Sequence, residues 1–326
     1  MNQRSYFNNI PGFTQVLILL SLCVIGAMTF TYLSFALIKP LYGITGADTL
    51  ILKASANPDL IKGDMNAINA LRFIQLLSSI GAFLFPSLVF AWLKSPKGDY
   101  LKLKTKITWL HIVLGIVLFT VCQPVVSWLY TLNQQLHLPA SMKAVEDIIK
   151  QSEDAAQKMT ELFLTMFGWQ DLVINLIVMA FIPAIAEEVL FRGVIQQMLS
   201  GWFKNVHVAI WTAAIIFSFI HFEFYGFLPR AVLGAILGYL LYYSGSLWVP
   251  IIGHAFNNGA QVLLSYLYDH HQISYNINAN ENLPVWLTLV STVIFAGLFY
   301  LLMKKKTVPV VEVSEIKTEV NGEQLD

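Results

Sequence analysis

The sequence predicts an all-α polytopic membrane protein, a bundle of about eight transmembrane helices. Of its 326 residues, 56% are hydrophobic and only 12% are charged, about half of the charged share of a soluble domain. Uncharged stretches of about 20 residues recur along the chain, and each is long enough to cross a bilayer as a helix. The formal net charge is zero, so composition gives no reason to expect a nucleic-acid partner.

Charge and hydropathy divide the chain into five regions. A long polar segment in the middle has apolar residues at helical spacing and acids on the other face, which predicts an extramembrane amphipathic helix. The regions are residues 1–132 (three spans), 133–170 (amphipathic segment), 171–268 (core of four spans), 269–303 (loop and last span) and 304–326 (polar tail). The predicted spans are 13–38, 73–93, 108–132, 172–199, 206–222, 228–243, 247–268 and 284–303.

The distribution of lysines indicates how the bundle is oriented. Eight spans place both termini on one side, and the lysine-rich loop 94–106 and Lys304–Lys306 fall on that side. The positive-inside rule makes this side the cytosol. We therefore expect an integral protein of the plasma membrane with cytosolic termini. Cys23 and Cys122 lie within spans and are expected to be core residues, with no role in a disulfide or a metal site.

Three charged residues interrupt the fourth span. Glu187, Glu188 and Arg192 directly follow residues 172–186, which carry no charge. Each such group near the bilayer centre costs about 2.5–3.5 kcal/mol on insertion scales, so these groups must pair or have a function. Glu188 and Arg192 are four residues apart on one helix face, which predicts an ion pair. Glu187 lies about 100° around the helix and is left unpaired. It is either a functional carboxylate or a solvated neighbour of a buried salt bridge.

Further polar groups lie within the apolar spans. His221 ends the fifth predicted span, and His254 and Asn258 share a face of the seventh. Three chemistries could use them together with Glu187. Glu187 and His221 could activate a water while His254 and Asn258 donate to an oxyanion. The carboxylate and the histidines could hold zinc, or the titratable groups could relay protons in a transporter.

The two histidines pose a question of depth in the membrane. Residue counting places His221 and His254 about 12 Å apart along the bundle. Either the fifth helix tilts or starts early, or the turn 223–229 lies at membrane depth inside a protein-lined cavity.

Three motifs, in order on separate predicted helices, resemble those of the CPBP family. This family comprises the CAAX-protease and bacteriocin-processing (Abi) membrane proteins, including the type II CAAX prenyl endopeptidases. The resemblance covers about residues 170–265 and implies an eight-helix bundle around an intramembrane catalytic cavity open to the cytosol. The motifs read Glu187-Glu188-x-x-x-Arg192, Phe217-x-x-x-His221 and His254-x-x-x-Asn258, with Ser246-Leu247-Trp248 leading into the third.

The resemblance also implies roles for the motif residues. The implied catalytic residues are Glu187, His221, His254 and Asn258, and the supporting pair is Glu188 and Arg192. They imply an intramembrane endopeptidase that uses a glutamate-activated water and requires no cofactor. The alternative is a zinc or other divalent metal enzyme, with Glu187, His221 and His254 as ligands. The substrate would be a protein or peptide presented at or in the lipid bilayer, prenylated or not.

Two other classes of protein are consistent with the composition. A transporter would show paired inverted repeats with broken helices, and the two halves show no convincing correspondence. A non-catalytic immunity or scaffold protein would tolerate the loss of Glu187, whereas an enzyme would not.

Overall fold

The computed structural model describes residues 5–7, 9–96, 98–274 and 283–305, and in this part of the chain it contains helices and no β-strand. The all-α prediction is therefore confirmed. Of the predicted polar tail 304–326, residues from 306 onward lie outside the described residues, as do 275–282 of the loop before the last span. The helices are α1 (Gly12–Tyr42), α2 (Ala47–Ala56), α3 (Met65–Lys94), α4 (Trp109–Val121), α5 (Gln123–Gln134), α6 (Lys143–Phe163), α7 (Trp169–Phe203), α8 (Val206–Phe219), α9 (Phe227–Ser244), α10 (Trp248–Asp269) and α11 (Val285–Lys304).

The helices include enough long apolar segments for an integral membrane protein. Among the described residues, α1, α3, α7, α9 and α11 are long and apolar enough to cross a bilayer. Helices α4 and α5 meet at a bend of 43° and together would form a sixth span. Helix α8 has 14 residues and is about 21 Å long, less than the ~30 Å of a hydrocarbon core. Each of the eight predicted spans lies mostly on one helix or on the bent pair α4 and α5, but the count of about eight is approximate.

The first two long helices extend further than hydropathy predicted. Helix α3 begins at Met65, within the segment predicted as a polar connection, because Asp64 caps it by accepting from the Ala67 amide (3.0 Å). The two helices cross at very close range. A Cβ atom added to Gly26 would lie 2.1 Å from the carbonyl oxygen of Gly81, so glycine at both positions allows the backbones to touch.

Helix α7 carries the first motif and departs twice from α-helical geometry. Residues Leu176–Phe181 and Val189–Ile195 form π-helical turns, which are frequent at functional sites. The second turn begins directly after Glu188 and includes Arg192. Its residues are almost all buried in the largest apolar cluster of the bundle, against α3, α8 and α9. The motif therefore sits at the packed centre of the protein.

Helix α6 forms most of the segment predicted as amphipathic. Its C-terminal end is fixed to the bundle, since Arg72 of α3 donates to the carbonyls of Phe163 (2.5 Å) and Thr165 (2.7 Å). Asn175 of α7 also donates to the Phe163 carbonyl (2.7 Å). The apolar side of the N-terminal half is open, and Ile148 is 67% exposed. The helix is thus anchored at one end and only partly covered at the other.

Candidate active site

Glu188 connects the first motif to the third. Its side chain is fully buried, and Oε1 accepts from Arg192 Nη1 (2.9 Å). The structure therefore contains the ion pair that the four-residue spacing predicted. The same Oε1 also accepts from His254 Nδ1 of α10 (2.9 Å). This second contact was not predicted, because the two residues lie on different helices and are 66 positions apart in the sequence.

Arg192 connects three helices. Its side chain is 1% exposed, and Nη2 donates to the carbonyl of Gly234 in α9 (2.8 Å). The guanidinium carbon lies 4.7 Å from the ring centroid of Phe217 in α8. A carboxylate, a carbonyl and an aromatic face thus surround the buried cation, which gives the charge the partners that burial requires.

Glu187 has a different environment from its neighbour. Its side chain is 16% exposed, and its Oε2 lies 3.9 Å from His254 Nε2. Within the described part of the chain its carboxylate accepts no hydrogen bond at ordinary distance. The two adjacent glutamates therefore differ, since Glu188 Oε1 accepts two hydrogen bonds and Glu187 accepts none at ordinary distance. His254 lies between them, with one ring nitrogen toward each carboxylate.

His221 lies in the turn that follows α8. Its Nδ1 donates to the Phe217 carbonyl (2.7 Å), so in the neutral ring Nε2 is unprotonated and accepts hydrogen bonds. The Phe217 ring lies between the two histidines, 4.9 Å from His221 and 6.2 Å from His254, measured between ring centroids. Because α8 ends at Phe219, the chain turns before a full crossing. The placement of this turn at membrane depth stays a prediction.

Asn258 is held by a chain of amides that sequence reasoning missed. Its Oδ1 accepts from Asn257 Nδ2 (3.3 Å), and Asn257 Oδ1 accepts from Gln123 Nε2 (3.1 Å). The Nδ2 group of Asn258 faces the carbonyl of Met179 (3.4 Å) and keeps a second N–H for another acceptor. Two signals were available in the sequence. Asn257 directly precedes Asn258 within the third motif, and Gln123 is a polar residue in an apolar span.

The predicted alternative of a metal centre can be tested against these positions. Among the described residues, no three His, Cys, Asp or Glu side chains lie close enough together to hold a metal ion. Glu187, His221 and His254 are the set that the zinc alternative requires, and they do not form such a group. The residues present therefore do not fit a metal, and we derive no chemical step through one.

Comparison with known proteins finds similarity in the segment that carries the three motifs. Residues 169–260 match the family model of Rce1-like type II CAAX prenyl endopeptidases. The uncharacterized protein YpbD of Bacillus subtilis (strain 168) is 32% identical over 84 residues, which cover 24% of this chain and 40% of that protein. The aligned segment thus spans less than half of this relative. No solved structure shows a significant match. The matched segment contains all three motifs, so residues 169–260 are similar to the Rce1-like type II CAAX prenyl endopeptidases.

Proposed function

We propose that this protein is an intramembrane endopeptidase that hydrolyses a peptide bond of a membrane-associated protein or peptide. The observation that carries the proposal is the placement of Glu187. This carboxylate is partly accessible and faces His254 Nε2 at 3.9 Å, in a segment that matches a family of membrane peptidases. A carboxylate without a fixed partner can take a proton from a bound water.

Glu187 acts as the general base in the proposed mechanism. It takes one proton from a water whose oxygen attacks the carbonyl carbon of the substrate. His221 Nε2 accepts a hydrogen bond from the same water and orients it. The tetrahedral oxyanion then receives hydrogen bonds from Asn258 Nδ2 and His254 Nε2. Glu187 returns its proton to the departing nitrogen as the C–N bond breaks, so no proton is gained or lost.

The contact between His254 and Glu188 sets a condition on this mechanism. Nδ1 already donates to Glu188, so Nε2 carries a proton only when the ring is doubly protonated. The oxyanion role therefore requires a cationic His254 during the step. Glu188 fixes the plane of the ring, and this gives the supporting pair a part in positioning the catalytic group.

Catalysis without a metal cofactor is part of the proposal. The neutral amide of Asn258 suits an oxyanion hole better than a zinc coordination shell. Within this proposal the protein acts in the plasma membrane with cytosolic termini, as the lysine distribution predicted. The name of the matched family makes a peptide with a prenylated CAAX-type C-terminus the first substrate to test.

The proposed function can be tested on intact cells and on purified protein. We expect membranes of a strain that carries Glu187→Ala to accumulate uncleaved termini of at least one protein, whereas Asp154→Ala, an exposed change on α6, should leave them unchanged. Purified parent should cleave prenylated or unprenylated peptides in proteoliposomes, and Glu187→Ala should not. Identical termini in all three strains, with no cleavage by purified parent, would favour a non-catalytic scaffold.

A further inference from the structure

The turn that carries His221 is held from outside the matched catalytic segment. Between α8 and α9 the chain runs through residues 220–226, where Phe222 adopts a left-handed conformation with φ of 54°. Such a conformation is unfavourable for a bulky side chain and persists only where the surroundings impose it. The turn has few backbone hydrogen bonds of its own. One of them, from the His221 amide to the Ser218 carbonyl, is long at 3.3 Å.

Asn133, at the end of α5, supplies two of the outside bonds. The side chain is 2% exposed. Its Nδ2 donates to the carbonyl of Phe224 (2.5 Å), and its Oδ1 accepts from the amide of Leu228 (3.1 Å). One amide therefore satisfies a carbonyl of the turn and an amide of the first turn of α9. Neither aspartate nor leucine can make both bonds.

Glu153 of α6 supplies the third bond. Its Oε1 accepts from the amide of Tyr225 (2.9 Å), and the side chain is half-buried against the turn. Helix α6 is in turn fixed to the bundle by Arg72 at its C-terminal end. The acceptor is thus presented from a fixed position. A backbone amide that is shielded from water needs such a partner.

We propose that Asn133 and Glu153 are positioning residues that hold the turn and thereby fix the position of His221 relative to Phe217 and His254. This inference rests on the proposed peptidase function. Neither side chain touches the His221 ring, and both act through the backbone of residues 224–228. Residues 133–168, which the family match does not include, are thereby given a role in the catalytic step.

Hydrogen exchange measures how strongly the hydrogen bonds stabilise the turn, and it does not depend on catalysis. In Glu153→Ala, the peptide covering residues 218–230 should exchange faster, by about fivefold for the loss of one hydrogen bond. Glu153→Gln keeps a carbonyl acceptor and should exchange as the parent does. Asp154→Ala is the matched control, since Asp154 is the exposed neighbour on α6, and it should also leave this peptide unchanged. Unchanged exchange in Glu153→Ala overturns the proposal.

Turnover measures the consequence for His221. In proteoliposomes, Glu153→Ala should lower kcat about 10- to 100-fold with little change in KM, because a small displacement of a catalytic group has effects of this size. Glu153→Gln should recover most of the activity. Asn133→Asp keeps the acceptor and loses the donor. In this second variant we also expect a lower kcat with little change in KM.

The two measurements separate this inference from the proposed function. A normal kcat in Glu153→Ala, or an equal loss in Asp154→Ala, overturns the role of Glu153 as a positioning residue. If purified parent cleaves no peptide, the peptidase proposal fails. The exchange experiment then still decides whether Asn133 and Glu153 hold the turn.

Discussion

Substitution of each adjacent glutamate by glutamine should disable the protein in two different ways. The change is the same in both variants, a neutral amide of nearly equal shape. The surroundings differ, because Glu188 is fully buried between Arg192 and His254 whereas Glu187 is partly accessible. Glu188→Gln should therefore reduce stability first, and Glu187→Gln should remove activity from a protein that stays folded.

The contacts of Glu188 set the size of its effect. Glu188→Gln leaves Arg192 buried, with the carbonyl of Gly234 at 2.8 Å and the Phe217 ring as its remaining partners. Breaking a buried ion pair on one side costs about 3–5 kcal/mol. The same change removes the carboxylate from His254 Nδ1, so the folded fraction should also turn over more slowly than the parent.

The contacts of Glu187 predict a large loss of activity with little loss of stability. Its carboxylate makes no hydrogen bond at ordinary distance within the described residues, so Glu187→Gln should change the free energy of unfolding by less than about 1 kcal/mol. Because an amide cannot take a proton from water, turnover should nearly vanish. His254→Ala and Asn258→Ala should slow the chemical step by about 10²–10³-fold each if both groups donate to the oxyanion.

The assay is peptidase turnover per folded molecule, with the melting temperature in detergent, for all four variants and the parent. Asp154→Asn serves as a control for the loss of an acidic group at an exposed position. Near-normal turnover in Glu187→Gln, together with a folded and inactive Glu188→Gln, would show that the base has been assigned to the wrong carboxylate.

Three further predictions concern orientation, metal and pH. In a background without Cys23 and Cys122, a cysteine at position 150 should be labelled from outside the cell, and labelling only from the cytosol would contradict the orientation. Purified protein should keep its activity without stoichiometric zinc; one zinc per active molecule, with activity lost on removal and restored on re-addition, would refute this. Burial raises the pKa of Glu153, so the folded protein retains a proton there that the unfolded chain has released, and stability falls as the pH rises through this window. The melting temperature of Glu153→Gln relative to the parent should therefore increase from about pH 4 to about pH 7, and a constant difference would contradict it.

Local spacing predicted the contacts that lie within one helix. The pair Glu188 and Arg192 followed from four residues of separation on a single face, and the structure contains it. The bond from His254 to Glu188 could not be predicted, because no sequence spacing reports which side chains of two helices meet. For the same reason, the amide chain from Gln123 on α5 to Asn258 on α10 could not be predicted.

Hydropathy also cannot report where a helix ends within an apolar run. The apolar run through Phe219 and Phe222 predicted one span over 206–222, but α8 ends at Phe219. The left-handed residue Phe222 then redirects the chain. Likewise, Glu153 was placed among the acids of a polar segment. Its contact with the Tyr225 amide depends on how α6 folds back over the bundle.

The arrangement of charges shows how the proposed site could work in a medium of low dielectric. Glu188 and Arg192 form one neutral pair, and in the proposed step Glu187 and the cationic His254 that it requires form a second beside it. When Glu187 takes a proton from water, its negative charge passes to the oxyanion, and His254 lies next to both positions. The number of charges in the site stays constant, so the step needs no new uncompensated charge in a buried place. On this reasoning Glu188 serves catalysis by giving Arg192 a permanent partner and His254 a fixed orientation, which leaves the cation of His254 available to the negative charge as it moves.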